Sequence, residues 1–300
     1  MGDDSQHPRQ DPTRQYGQRQ GQPVQKQHPP GSTATMDPQP DHGEQSYRGS
    51  GKLTDRRAVI TGADSGIGRA VALAFAREGA DVCFSYLPQE EHDARQTARL
   101  IEQAGRRAVP VPGDITEEHQ CGELVRRAVE ELGGIDILVN NAAYQMAQEK
   151  GIAEISTEQF DRVLKTNLYA MFWICKAAVP HMPPGSSIIN TSSIQAFDPS
   201  PSLLDYATTK AGIVNFTKGL AMNLVDQGIR VNSVAPGPVW TPLIPATMPP
   251  DAVEQFGTQS PIGRPAQPAE LAPSFVFFAS PESSYTTGEV LAVTGGRRTI

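Results

Sequence analysis

Thr61-Gly-Ala-Asp-Ser-Gly-Ile-Gly68 stands between the apolar run Ala58-Val59-Ile60 and a segment where Ile67, Ala70, Val71, Ala74 and Phe75 repeat at helical spacing. A strand that passes through a glycine-rich turn straight into a helix makes an anion-binding corner. The first amides of the helix lack intrahelical acceptors, and its dipole places positive charge at that end. Gly62 allows a sharp reversal, Gly66 lets a pyrophosphate approach the backbone, and Gly68 lets the helix pack closely on the strand. Dinucleotide contacts are therefore expected at Gly62, Ser65, Gly66, Ile67 and Gly68. The spacing is Gly-x3-Gly-x-Gly rather than Gly-x-Gly-x-x-Gly.

Outward from this turn, short β-branched runs alternate with helical-period segments. Strands are predicted near 58–60, 82–84, 108–109, 135–139, 187–189, 230–234 and 290–293. Leu124, Val125, Ala128, Val129 and Leu132 form a second helical face. A third comprises Phe160, Val163, Leu164, Leu168, Met171 and Phe172, opened by a capping box from Ser156 to Gln159. Strict alternation predicts an α/β fold of the Rossmann type: a doubly wound, seven-stranded parallel sheet with helices on both faces, one domain over residues 51–300. Residues 1–50 hold ten Gln and seven Pro and no Leu, Ile, Phe or Trp. So little apolar area cannot offset backbone entropy, and a disordered Gln/Pro-rich tail is expected, with 36–47 as an arm across the body.

The 300 residues carry 33 acidic against 26 basic side chains, a formal charge of −7. That balance argues against a nucleic-acid or membrane-surface partner. No apolar run approaches the roughly 18 residues of a spanning helix, and the polar start has no hydrophobic signal core, so a cytoplasmic protein is expected. Cys83, Cys121 and Cys175 have the spacing of neither a disulfide framework nor a zinc site. His92, His119 and His181 are isolated, and no metal is expected.

About twenty residues past the glycine turn, an acid would hold the ribose hydroxyls of NAD. The second strand instead ends Phe84-Ser85-Tyr86-Leu87-Pro88, with no acid before Glu90 and no arginine for a 2′-phosphate. With Tyr86 at the contact position, the choice between NAD and NADP stays open. Further on, Tyr206 and Lys210 stand at i and i+4 on a helical segment, hence on one face. An ammonium beside a phenol stabilises phenolate and brings its pKa toward the working range.

Thr61 to Gly68, Asn140-Asn141-Ala142-Ala143, Ser193, Tyr206 with Lys210, and Pro236-Gly237, in this order and at these separations, resemble the short-chain dehydrogenase/reductase family over nearly all of residues 52–300. Pro38 to Tyr47 followed by Gly51-Lys-Leu53 resembles a bacterial branch of general-stress oxidoreductases and aldehyde reductases, with plant relatives labelled glucose and ribitol dehydrogenase homologues. The resemblance implies that Tyr206 is the acid/base, that Lys210 lowers its pKa and holds the nicotinamide ribose, and that Ser193 hydrogen-bonds the substrate oxygen. The family separation of thirteen residues to the tyrosine selects Ser193 over Ser192. Asn167 would complete a proton relay through water; it also occupies a slot on the apolar stripe between Leu164 and Met171, where a buried amide needs partners. Asp114 and Ile115 would contact adenine, and Asn140 and Ala142 would lie where the cofactor crosses the sheet. Pro236, Gly237, Val239 and Thr241 would receive the carboxamide. Ala143 stands where the family more often has glycine, and its methyl group would narrow the site. A homotetramer is implied.

Between Thr241 and Pro265 a proline-rich segment is expected to form a lid, with Trp240, Leu243, Ile244 and Met248 on its rim and Tyr144, Gln195 and Phe197 opposite. A mixed apolar and amide pocket suits a small aldehyde, ketone or polyol, interconverted as carbonyl and alcohol by an NAD(P)-dependent oxidoreductase. The alternatives are a 3-oxoacyl thioester reductase and, from another class, a dinucleotide-binding stress-protective scaffold acting through its tail. Tail deletion is expected to leave an enzyme's turnover intact.

Overall fold

The computed structural model describes residues 10–16 and 21–299; the remainder of the expected tail, residues 1–9 and 17–20, lies outside the described residues. Seven strands, β1 (Arg57–Thr61), β2 (Asp81–Tyr86), β3 (Ala108–Pro112), β4 (Ile137–Asn140), β5 (Ser187–Thr191), β6 (Arg230–Pro236) and β7 (Val290–Val293), form one sheet in the order β3-β2-β1-β4-β5-β6-β7. Every pairing is parallel. The central strands read as continuous apolar runs because both of their faces are covered. Ile60, Phe84, Val139 and Ile189 pack on one side, and Val59, Cys83, Leu138 and Ile188 on the other.

The helices are α1 (Gly66–Arg77), α2 (Glu91–Gln103), α3 (Glu118–Leu132), α4 (Thr157–Leu164), α5 (Ala170–Ala178), α6 (Leu204–Leu224), α7 (Leu243–Thr247), α8 (Pro250–Glu254) and α9 (Pro268–Ala279). Those on the first face, α1, α2 and α9, bring Phe75, Ile101 and Phe275; those on the second, α3, α5 and α6, bring Leu124, Ile174 and Ile213. After β1 the chain winds outward to β2 and β3, then returns to place β4 on the other side. The crevice at that switch point, beyond the carboxyl ends of β1 and β4, is where open α/β sheets take their ligands.

Two local expectations need correction. A π-helical turn, Lys165–Tyr169, joins α4 to α5 and shifts the phase of the expected apolar stripe. Val163, Asn167 and Met171 face inward, whereas Phe160, Tyr169 and Phe172 are exposed. Ser156 does cap α4, its Oγ accepting from Gln159 N at 3.1 Å. The Gln159 amide, however, donates to Asp205 Oδ2 at 3.0 Å instead of turning back, so the capping box is only half formed.

Residues 21–50 follow the body over a longer stretch than the arm expected at 36–47, which corrects the disorder expected over 21–35, because the body supplies the partners that the segment's own composition lacks. Met36 is buried with Trp240, Ile244 and Val253. Trp240 Nε1 donates to Pro38 O at 2.8 Å, Gln27 N to Pro245 O at 2.9 Å, and Thr33 N to Asp93 Oδ2 at 2.8 Å. Further along, the Arg77 guanidinium donates to the carbonyls of Gly43 (2.7 Å) and Glu44 (2.8 Å). The segment is an arm held largely by its backbone groups. It also buries Trp240 completely, so that side chain is not on the rim of the lid.

Candidate active site

A cleft of about 630 Å³ runs along the carboxyl ends of the strands. At its centre is the glycine corner, with Gly62 and Gly66 in the left-handed region at φ +63° and +52°. A Cβ on Gly68 would stand 2.1 Å from Gly62 O, so only glycine lets α1 start this close to the turn. Thr61 Oγ1 accepts from the amides of Asn141 (2.9 Å) and Ala142 (3.0 Å), and Asn141 Nδ2 donates to Thr61 O and Gly62 O, both at 3.1 Å. These bonds tie the corner to the end of β4.

Gly62, Ser65, Gly66, Ile67, Tyr86, Asp114 and Ile115 all line the cleft, as do Ala142, Pro236, Gly237, Val239 and Thr241. Gly68 does not line the cleft, which corrects its assignment as a cofactor contact; it lies just behind, packed against Gly62 O. Asn140 does not reach the cleft, which corrects its assignment as a cofactor contact. The strand turns its side chain inward, where Nδ2 donates to Asn190 Oδ1 at 2.9 Å. The neighbouring Asn141, passed over in sequence, lines the cleft instead. Alternation along β4 is the signal that could have separated the two.

Tyr206 and Lys210 project from the first turns of α6, with Lys210 Nζ 5.2 Å from the Tyr206 ring centroid. The ammonium is buried and donates to Thr191 O at 2.8 Å. Burial pushes the Tyr206 phenol up to about 12, against a hydrogen bond from Ser193 that acts downward. Burial also pushes Lys210 down to about 7. Desolvation of each group thus outweighs the mutual stabilisation expected from the spacing, and a negative charge arriving in the cleft favours the ammonium again. Ser193 faces Tyr206 and caps Gln195 N at 3.1 Å, while Ser192 Oγ is spent on Lys210 O at 2.9 Å.

Asn167, in the π-helical turn, stands one layer back. Its Oδ1 accepts from Tyr144 N at 2.8 Å, and its Nδ2 donates to Tyr144 O and Thr209 Oγ1, both at 3.0 Å. A void of about 10 Å³ beside it, shared with Asn140, is close to the lower limit for one water. Leu243, Ile244 and Met248 form one rim of the cleft, with Tyr144, Gln145 and Gln195 opposite; Phe197 does not take part. The lining also includes Asp64 of the glycine turn, Glu90, the first acid past the second strand, and Pro29-Pro30 of the arm, none of which was given a role from sequence.

Glycines that admit a backbone approach, a helix start of unpaired amides and a buried lysine facing the cleft together fit a dinucleotide. Among the described residues there is no group of three side chains that could hold a metal, and no helix is long and apolar enough to cross a membrane. A family model described as Enoyl-(Acyl carrier protein) reductase matches residues 62–298. The chain is 53% identical over 287 residues to the "Uncharacterized oxidoreductase YghA" of Escherichia coli, covering 95% of this chain and 97% of that one. It is 49% identical to General stress protein 39 of Bacillus subtilis over 89% of this chain and 93% of that one. Against a "Glucose and ribitol dehydrogenase homolog" of Oryza sativa subsp. japonica, identity is 46% over 91% and 96%. Among solved structures, a short-chain dehydrogenase from Burkholderia cenocepacia in complex with NADP superposes with a TM-score of 0.76 at 32% identity, covering 82% of this chain and 98% of that one. The chain belongs to the short-chain dehydrogenase/reductase family and is an NAD(P)-dependent oxidoreductase.

Proposed function

We propose that this cleft interconverts an alcohol and a carbonyl in a small aldehyde, ketone or polyol, with Tyr206 as the general acid/base. The observation that carries the reading is the convergence of Tyr206, Ser193 and Lys210 on one wall of the cleft that begins at the glycine corner. The turn from Gly62 to Gly68 would hold the pyrophosphate, Asp114 and Ile115 the adenine, Lys210 the nicotinamide ribose, and the segment from Pro236 to Thr241 the carboxamide. When bound, the nicotinamide supplies or accepts the hydride.

The chain's own part concerns the proton. Burial keeps Tyr206 protonated at neutral pH, the form that donates to a carbonyl oxygen as negative charge develops on it. The Ser193 hydroxyl donates to the same oxygen, and the Lys210 ammonium stabilises the phenolate left behind. Asn167 clamps the backbone of Tyr144 to Thr209 on α6, and its neighbouring void suits a relay water, so its contribution is made from behind the wall.

An apolar rim facing the amides of Gln145 and Gln195 supports a small, partly polar substrate, and the name of the rice relative points toward polyols. The description of the matching family model favours a second reading, reduction of an acyl thioester. Solved relatives carry NADP or NADPH. The exposed aromatics Phe160, Tyr169 and Phe172 along α4 and α5 support a homotetramer, and a cytoplasmic setting fits the absence of a spanning helix among the described residues.

The test is a screen of aldehydes, ketones, polyols and 3-oxoacyl thioesters with both cofactors, alongside Tyr206→Phe. Turnover of a small carbonyl that falls by about 10²- to 10⁴-fold in the variant is expected. Activity confined to thioesters would replace the substrate class, and unchanged turnover in Tyr206→Phe would remove the mechanism.

A further inference from the structure

The arm is fastened to both banks of the cleft. On the lid side, Gln27 N donates to Pro245 O at 2.9 Å and Lys26 Nζ to Met248 O at 3.0 Å. On the α2 side, Asp93 Oδ2 accepts from Thr33 N at 2.8 Å and from Ser32 Oγ at 3.3 Å. Between these anchors residues 28–31 make a turn, closed by Gly31 N donating to His28 O at 2.9 Å. The Gln27 side chain braces it, Oε1 accepting from Ser32 N at 2.7 Å and Nε2 donating to Ser32 O at 3.3 Å. Gly31 has φ +90°, and a Cβ there would stand 2.7 Å from Pro242 O, so only glycine lets the turn press this closely on the lid.

Beneath the turn lies the glycine corner. A Cβ on Gly66 would meet Thr241 Cγ2 at 3.1 Å on the lid side, and one turn into α1 the Arg69 guanidinium donates to Asp93 O at 3.1 Å on the other. The start of α1 is therefore the floor between the two banks that the arm joins. Pro29 and Pro30 line the cleft, yet Pro29 is exposed and Pro30 half-buried, so this turn has the cleft on one side and solvent on the other. A dinucleotide laid on the corner is enclosed between α1 and the arm. The crossing is held by hydrogen bonds, whereas the apolar anchor at Met36 lies beyond it. Thr33 Oγ1 is buried at its far end with no hydrogen-bond partner among the described residues, and it gains water as a partner when the crossing lifts.

We propose that residues 27–33 bridge the dinucleotide site and gate cofactor exchange: the cofactor enters and leaves when this bridge lifts, while Met36 and Pro38 keep the rest of the arm docked. The inference rests on the cleft being the dinucleotide site. A bridge that closes over the empty and the occupied site slows arrival and departure alike, whereas a contact made to the bound cofactor slows departure alone.

Stopped-flow mixing of the full chain with NADH and with NADPH separately tests it. Association is followed by nicotinamide fluorescence, and dissociation by displacement with excess oxidised cofactor. Gly31→Val pries the turn from Pro242, and Gln27→Ala removes the brace while the backbone bond to Pro245 stays. In each variant the association and dissociation rates should rise together by about three- to tenfold, the scale of a hydrogen bond or two lost from the closed bridge. Melting temperature and tryptophan emission report that the fold and the cover over Trp240 are kept. Unchanged rates in the folded variants would overturn the inference and leave the dinucleotide reading standing. A rise in dissociation alone would also overturn it, reducing the turn to a contact. Binding of neither cofactor by the unaltered chain would overturn both.

Discussion

Tyr206 and Lys210 illustrate how a pair that spacing identifies still takes its electrostatics from its surroundings. Their i, i+4 positions were readable in sequence; that both would be buried, with one pKa raised and the other lowered, was not. The sign of the pH dependence follows. Reduction draws on the protonated phenol, the resident form at neutral pH, so its turnover should hold level or decline between about pH 6 and about pH 9. Alcohol oxidation needs the phenolate and should rise over the same interval. Lys210→Met removes the cation that stabilises phenolate, which moves the rising limb to higher pH. Profiles of kcat against pH in the two directions check this, and an oxidation profile unmoved in Lys210→Met would contradict it.

Among the elements, the corner from β1 into α1 has the least tolerance. Gly68 is pressed against Gly62 O so closely that Gly68→Ala has to displace α1, the turn, or both. NAD(H) and NADP(H) affinity should fall by tenfold or more, about 1.4 kcal/mol, with a lower melting temperature. Titration of the variant with both cofactors measures it. The π-helical turn is the contrasting case. No propensity rule places an extra residue within α4–α5, because the gain comes from Asn167 reaching Tyr144 and Thr209, two elements distant in sequence. Phe160 before the turn and Phe172 after it are both exposed, where a helical stripe drawn from sequence would bury them.

For the whole molecule, the arm changes what tail deletion does. Sequence composition led to the expectation that an enzyme would keep its turnover without residues 1–50. In the structure, Pro29-Pro30 form part of the cleft wall, and Met36 and Pro38 cover Trp240 beside the lid. Removal of residues 1–50 should therefore expose Trp240, lower the melting temperature and raise KM. Met36→Ala, which leaves the arm's backbone bonds in place, should cost about 2–4 kcal/mol. Thermal melts, tryptophan emission and steady-state kinetics of the two proteins decide the matter, and a truncated chain with unchanged KM and emission would refute it.

By itself, the sequence determined the layers, the strand count and the glycine corner, since these rest on local periodicity and on turn chemistry within a few residues. It also marked Ser193, Tyr206 and Lys210, whose separations repeat a family pattern. Only the tertiary structure decided that Asn140 turns into the sheet while Asn141 meets the cleft, and that Trp240 lies beneath an arm. Each of these depends on which distant group supplies a hydrogen bond or excludes water, and the free energy of a buried polar group is set by those partners rather than by its neighbours in the chain.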